Sequence, residues 1–352
     1  MTHYDPLSTD SAKTINDHGD WLSEHKALRE SAGVLDFSNR SRICLVGNDR
    51  VRFLHGQVTN DIKRLGIGEG CYAAIVTAKG KMESDVNIFN LQDELLLDFE
   101  PGLAEKITAR LEKFIVADDV QIVDAAPHYG LLSLQGPKAG EVIRGMGLFV
   151  KIPEKPFGSI KITDPNFGEV YLTNNPRLGS TGFDLFIPNA TLSAMTEKLT
   201  AAAKKSGGRA AEWTAFETAR IEAGIPRFGA DMDETNLPLE CGIESSAVSY
   251  KKGCYIGQEV INRIHSIGHV NKELRGLRLA GDLHTLPTRG DKLFHDGKEA
   301  GYVTSAVKSP ALNVNIALGY VRREAFQIGT RLALRTQEGE STAEIVELPF
   351  VK

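Results

Sequence analysis

The 352-residue sequence predicts an α+β protein that ends in a small antiparallel β-barrel. Three observations carry this expectation. Short apolar runs of strand type alternate with helical stripes up to about residue 270, without the regular strand–helix–strand spacing of a parallel sheet. From about residue 273 the helical stripes stop, and six short strand-like runs follow closely with turn residues between them. The composition, with 41% apolar and 25% charged residues, 34 glycines and 14 prolines, is that of a globular chain whose length asks for two or three domains.

Taken in order, DWLSEHKALRES brings Trp21, Leu22, His25 and Leu28 to helical spacing. RICLVG reads as a strand, and DRVRFLHGQ as a helix with Asp49 placed to cap it. CYAAIVTA, SDVNIF and ELLLDF read as three strands, separated by the turn residues of AKGKM and NLQD. PGLAEKITARLEKFIV is helical, with a proline at its start and Leu103, Ile107, Leu111 and Ile115 on one stripe. VQIVDA and YGLLSLQG are strands, and PKAGEVIRGMG is a short helix. EVYLTN and GFDLFIP repeat the strand texture, then NATLSAMTEKLTAAAKKS forms a helix ending at Gly207 and Gly208. EWTAFETARIEAG is a helix stopped by Gly224 and Pro226. The barrel strands are ELRGLRLAG, DKLFHDG, KEAGYVTSAV, NIALGYV, TRLALRT and STAEIVEL.

A net charge of −5 argues against general binding to a nucleic-acid backbone, which needs a basic surface. Residues 1–17 lack a basic flank followed by an apolar core, and no apolar run approaches the roughly 20 residues of a membrane helix. A cytoplasmic protein without membrane contact is expected. G66-I-G-E-G70 leads into a strand instead of a helix and reads as a turn, not a phosphate loop. His265 and His269 have zinc-pair spacing, but Gly268 interrupts the helix and no glutamate follows His265, so no metal is expected. Cys44, Cys71 and Cys241 lie in apolar surroundings and read as small buried hydrophobes.

Cys254 is different. It stands in KKGCYIGQEV between Gly253 and Gly257, behind Lys251 and Lys252, and just ahead of a helical stripe formed by Val260, Ile261 and Ile264. Neighbouring positive charge and the N–H groups of a helix start both favour a thiolate. The bland alternative is a tight surface turn with an idle thiol. Asp85 in SDVNIF and Asp184 in GFDLFIP are acids inside apolar strands, where an acid must face solvent or a partner. If both face one cavity, they can accept hydrogen bonds from a heterocycle such as a pterin.

KKGCYIGQEVINRIHSIGHVNKELRGL resembles the signature of the YgfZ family of folate-binding proteins, whose K-G-C-Y-x-G-Q-E box spans Lys252, Gly253, Cys254, Tyr255, Gly257, Gln258 and Glu259 here. RESAGVLDFSNRSRICLVGNDRVRFLHGQVTNDI, ARIEAGIPRFGADMDETNLPLE and GYVTSAVKSPALNVNIALGYV extend the likeness to the broader glycine-cleavage T-protein family, the aminomethyltransferases. The resemblance implies two ferredoxin-like units, at 1–145 and 146–270, and a barrel at 271–352, arranged as a ring around a tetrahydrofolate. It implies that Asp85 matches the family's functional aspartate and Asp184 its pterin-binding acid, while Phe216 and Leu96 fall where that family has an arginine and an aromatic. Phenylalanine offers no donors, although it can stack on a flat ring. The main expectation is a tetrahydrofolate-binding protein that supports iron–sulfur enzymes, including tRNA-thiolating ones, through Cys254, with Lys251, Lys252, Gln258 and Glu259 supporting that loop. Alternatives are an aminomethyltransferase using Asp85 and a non-catalytic folate-sensing module.

Overall fold

The structure is a computed structural model and describes residues 21–351 apart from 282, 284 and 338. The leader-free reading of residues 1–17 lies outside the described residues. The chain runs α1 (Trp21–Glu30), β1 (Gly33–Asp36), β2 (Ser41–Val46), α2 (Arg50–Gln57), β3 (Glu69–Val76), β4 (Met82–Asn90), β5 (Glu94–Phe99), α3 (Ala104–Glu112) and β6 (Gln121–Asp124). It continues through β7 (Tyr129–Gln135), α4 (Ala139–Gly145), β8 (Ser159–Asp164), β9 (Gly168–Asn174), β10 (Gly182–Pro188), α5 (Leu192–Lys205), β11 (Arg209–Ala210) and α6 (Trp213–Glu222). After α7 (Glu244–Ala247) and α8 (Gln258–Ile267) come β12 (Lys272–Leu279), β13 (Lys292–His295), β14 (Lys298–Ser309), β15 (Val314–Arg322), β16 (Arg331–Thr336) and β17 (Gly339–Val346).

The strands form two open sheets, β3-β4-β5-β2-β6 and β11-β1-β7-β10-β9-β8, and a closed barrel, β12-β15-β14-β13-β16-β17. Strand alternation gives each open sheet two apolar faces. On the first sheet Ile43, Leu45, Ile88, Leu95 and Leu97 face outward and are covered by Phe53 and Leu54 of α2 and by Ile107 and Leu111 of α3. On the second, Leu132, Leu134, Val170, Leu172 and Leu185 are covered by Val142 and Ile143 of α4 and by Met195 and Leu199 of α5. The inner faces pack on each other: Cys44, Phe89 and Leu96 meet Leu35, Leu131 and Phe186, with Phe37 and Phe216 closing the cluster. The result is a helix–sheet–sheet–helix stack with a shared central seam.

The barrel fills its own interior with Leu277, Leu293, Val303, Ala317, Leu334 and Ile345. Its outward Ile316, Leu318 and Tyr320 dock on Ala74, Val76 and Met82 of the first sheet, together with Tyr255 and Ile261. This α+β architecture with a terminal barrel agrees with the sequence expectation.

Several details differ from it. β1, β7 and α4 precede residue 146 yet belong to the second sheet or its cover, so the division between the two units does not follow the chain at 145. Asp49 stands at the head of α2 but makes no capping bond, because its carboxylate accepts the Asp119 N–H at 2.9 Å. β8, with its alternating SIKITD on the sheet edge, and the very short β1 and β11 were not foreseen.

Phe186 is 2% exposed and meets Phe89 of the opposite sheet edge-on at 6.1 Å. Phe186→Ala is expected to lower the unfolding free energy by about 3–5 kcal/mol in a urea titration. A loss under about 1 kcal/mol would show that the two sheets do not share a core.

Candidate functional site

The same inner rows that carry the seam's apolar residues also carry its charges. On β4, Asp85 and Asn87 share a face with Phe89; on β5, Asp98 lies beside Leu96; on β10, Asp184 lies beside Phe186. Asp98 and Asp184 are both fully buried. Arg40 Nε donates to Asp98 Oδ1 at 2.8 Å, and Asn87 Nδ2 donates to Oδ2 at 3.1 Å. Arg177 bridges the sheets: its Nη2 donates to Asp98 Oδ2 at 2.7 Å and to Asp184 Oδ2 at 2.6 Å, and its Nε to Asp184 Oδ2 at 3.0 Å. Asn175 Nδ2 gives Asp184 a further bond at 2.8 Å. Burial alone would raise the Asp98 carboxyl, but Arg40 and Arg177 hold it well below the usual carboxylate range.

Outward from this core, Glu100 accepts from Arg40 Nη1 at 2.5 Å and from Arg227 Nη1 at 3.1 Å. Arg227 lies over the Trp213 ring at 5.0 Å and Arg177 over Phe37 at 5.4 Å. Arg40, Asn87, Glu100, Arg177, Trp213 and Arg227 are all partly exposed, so solvent reaches the seam along this side.

Asp85 borders the same open side, half-buried, with Tyr72 Oη donating to its Oδ2 at 2.8 Å. Burial, then the nearby Glu100, pushes its carboxyl up to about 6, against the Tyr72 hydrogen bond and Arg40. A carboxyl titrating there both takes and gives a proton near neutral pH, which is what general acid–base work requires.

The structure therefore brings Asp85 and Asp184 to one seam. It corrects the expectation that Asp184 is open to a ligand, because Arg177 and Asn175 already occupy it. Phe216 is 7% exposed and packs between Phe37 and Trp213, at centroid distances of 5.0 and 5.5 Å, as part of the seam's apolar wall.

Cys254 is exposed in the loop ahead of α8. Gly257 caps that helix at φ 85°, and a Cβ there would lie 2.5 Å from the Thr77 carbonyl oxygen, so only glycine fits. Lys252 does not stand beside the sulfur as a free charge, contrary to expectation. It turns inward, 7% exposed, and its ammonium donates to the carbonyls of His55, Val58 and Asn60 at 2.5, 2.7 and 2.8 Å, tying the loop to the end of α2. Burial brings its pKa down to about 8. Lys251, Gly253 and Glu259 are exposed, Gln258 is partly so, and Tyr255 points into the core shared with the barrel. Among the described residues, no hydrogen bond or ion pair joins Cys254 to the seam. Cys44 and Cys241 are buried as expected, and burial pushes the Cys71 and Cys241 thiols up to about 12.

The profile described as the GCVT N-terminal domain matches residues 9–252, and that of the glycine cleavage T-protein C-terminal barrel domain matches 272–352. The chain belongs to the glycine cleavage T-protein family. An aminomethyltransferase of Rubrobacter xylanophilus is 30% identical over 94% of this chain and 86% of its own length. One from Bacillus subtilis is 27% identical over 97% of this chain and 95% of its own. The crystal structure of the glycine cleavage system aminomethyltransferase T from Bartonella henselae shares the fold, with a TM-score of 0.83 at 23% identity over 94% of this chain and 89% of that one. Among the described residues no helix is long and apolar enough to cross a membrane, and no three His, Cys, Asp or Glu side chains cluster as metal ligands.

Because the Asp85 carboxyl titrates near 6 when folded and near 3.8 when free, the native state binds more protons between those values and stability falls as pH rises through them. Asp85→Asn keeps an acceptor for Tyr72 and is expected to remove about 2 kcal/mol of that loss. The variant should be the more stable protein at pH 8 and not at pH 4, measured by urea titration at both.

Proposed function

We propose that the protein binds a tetrahydrofolate along the open side of the seam and transfers a one-carbon unit of aminomethyl type, with Asp85 as the acid–base group. The single observation that carries this is Asp85 itself, half-buried in a seam rich in arginine and tryptophan, with its carboxyl raised to about 6. Family membership and relatives named aminomethyltransferase support the same reading.

The donor set suits a folate. A pterin presents a fork of N–H donors along one edge, and Asp184 now accepts such a fork from the Arg177 guanidinium. Arg177 thus holds the place of a ligand edge on Asp184 and must give it up for that edge to dock. Trp213, Arg227 and Glu100 offer a flat face and charged groups farther out. A bound tetrahydrofolate would supply the secondary amine that accepts the carbon. Asp85 would take the proton lost as the new nitrogen–carbon bonds form. It would return that proton as the carbon's bonds to the carrier sulfur and to ammonia break, so that thiol and ammonia leave, and Tyr72 would keep its carboxylate aimed.

A second reading, the YgfZ type of folate-dependent support for iron–sulfur enzymes, is favoured by one observation, the exposed Cys254 at the head of α8. In that reading the thiol does the chemistry and folate occupancy of the seam accompanies it.

Incubating the protein with an aminomethylated dihydrolipoyl carrier and tetrahydrofolate is expected to release ammonia. Asp85→Asn should cut the rate about 10²–10⁴-fold with little change in folate affinity by calorimetry. Wild-type protein that binds tetrahydrofolate and releases no ammonia would overturn the transfer reading, and loss of iron–sulfur enzyme support in Cys254→Ser would then favour the second. Arg177→Met frees Asp184 and is expected to tighten tetrahydrofolate binding about tenfold while lowering stability by about 3 kcal/mol. Unchanged or weaker binding would remove Asp184 from the ligand site.

A further inference from the structure

We infer that a cavity at the far end of the seam is a binding site for a small aromatic amine, an arylalkylamine that carries a ring hydroxyl and has the size of tyramine. The inference is independent of both folate readings above.

The cavity measures about 220 Å³ and opens between β2, β5 and β6 of the first sheet and β9 and β10 of the second. Cys44, Leu91, Leu96 and Phe186 form its walls. Leu96 and Phe186 also set it apart from the ionic cluster. Asp98 and Asp184 lie two residues beyond them on β5 and β10, and neither lines the cavity. Apolar walls of this kind suit one substituted benzene ring and offer water few partners.

The two ends of the cavity differ in charge. Across β2 and β5, Val46 pairs with Glu94, Cys44 with Leu96 and Arg42 with Asp98, so the cavity runs along these strands from Glu94 to Arg42. Four residues of strand span about 13 Å. Arg42, at the inner end, is fully buried. Its Nη2 donates to the carbonyls of Tyr129 and Ser38 at 2.7 and 3.1 Å, whereas its Nε is shielded from solvent and has no hydrogen-bond partner. A buried donor left in that state is destabilising, and an oxygen acceptor entering the cavity would satisfy it.

At the outer end Glu94 is partly exposed and makes no ion pair among the described residues. Tyr129 and Tyr171 stand at the same end, edge-on to each other with centroids 6.0 Å apart. Burial first, then nearby carboxylates that include Glu94, raises both phenols, so the two rings stay neutral. The Lys161 ammonium lies 5.8 Å from the Tyr171 ring, but Glu169 takes its charge at 3.1 Å. Two aromatic faces and a carboxylate without a cation suit an organic ammonium group. Val123 and His128, both exposed, flank the mouth through which it would enter.

An arylalkylamine meets all three demands. Its ammonium pairs with Glu94 between the tyrosine rings, its ring lies against Cys44, Leu96 and Phe186, and its hydroxyl oxygen accepts from Arg42 Nε. Free tyrosine fits less well, because its carboxylate would face that of Glu94.

The test is titration calorimetry on the full chain with tyramine as the probe, and a Kd of about 0.1 mM is expected. Phenethylamine, which lacks the hydroxyl, should bind about tenfold more weakly. Glu94→Gln should weaken tyramine about tenfold, and Cys44→Phe, which fills the cavity, should abolish binding. Circular dichroism establishes that each variant is folded; if Cys44→Phe is not, Glu94→Gln at the rim carries the test. A wild-type protein that gives neither heat nor a saturation-transfer NMR signal with millimolar tyramine overturns the inference. So does a folded Glu94→Gln or Cys44→Phe protein that binds tyramine as wild type does, or equal affinity for tyramine and phenethylamine.

Discussion

The guanidinium of Arg177 is the point at which the two sheets are chemically joined. It contacts one carboxylate from each sheet, Asp98 on β5 and Asp184 on β10, both without solvent contact. Two buried acids facing each other across a seam would repel; a cation between them, supplemented by Arg40 on Asp98, offsets that repulsion. The apolar packing of Phe89, Leu96 and Phe186 brings the sheets together without direction, whereas the ion pairs fix their register. Asp85 inherits its properties from this arrangement. It sits close enough to Glu100 and the seam to be desolvated, yet far enough from Arg177 to keep a high affinity for its proton.

Much of the fold was legible in the sequence because strand alternation and helical stripes report burial directly. The barrel was plain from the loss of helical period after Lys272. The pairing of β1 with β7 and β11 was not, since four residues of GVLD carry too little pattern and their partners lie far along the chain. Within the site, Asp85 and Asp184 stood out as acids in apolar strands. By the same rule Asp98 in ELLLDF should have stood out too, and it is buried as fully as Asp184. Arg177 and Arg227 gave no signal, because each lies in a loop and gains meaning only from what it meets across space.

Lys252 shows the converse error. Two adjacent lysines before a cysteine suggested a positive field around the sulfur, but an ammonium on a long stem satisfies three helix-end carbonyls better than it serves a surface thiol. Lys252 thereby anchors the loop that carries Cys254 to the end of α2, away from the carboxylates and guanidinium groups of the seam.

The strand order has a bearing on biosynthesis. β1 pairs antiparallel with β7 and, on its other edge, parallel with β11, so its two neighbours emerge from the ribosome roughly 100 and 175 residues after it. At translation speeds of about 5–20 residues per second, the second sheet stays incomplete for about 4–17 s after the first is whole. During that interval a bare strand edge is offered to whatever protein is nearby. The second sheet is therefore the last of the two open sheets to close its strand edge.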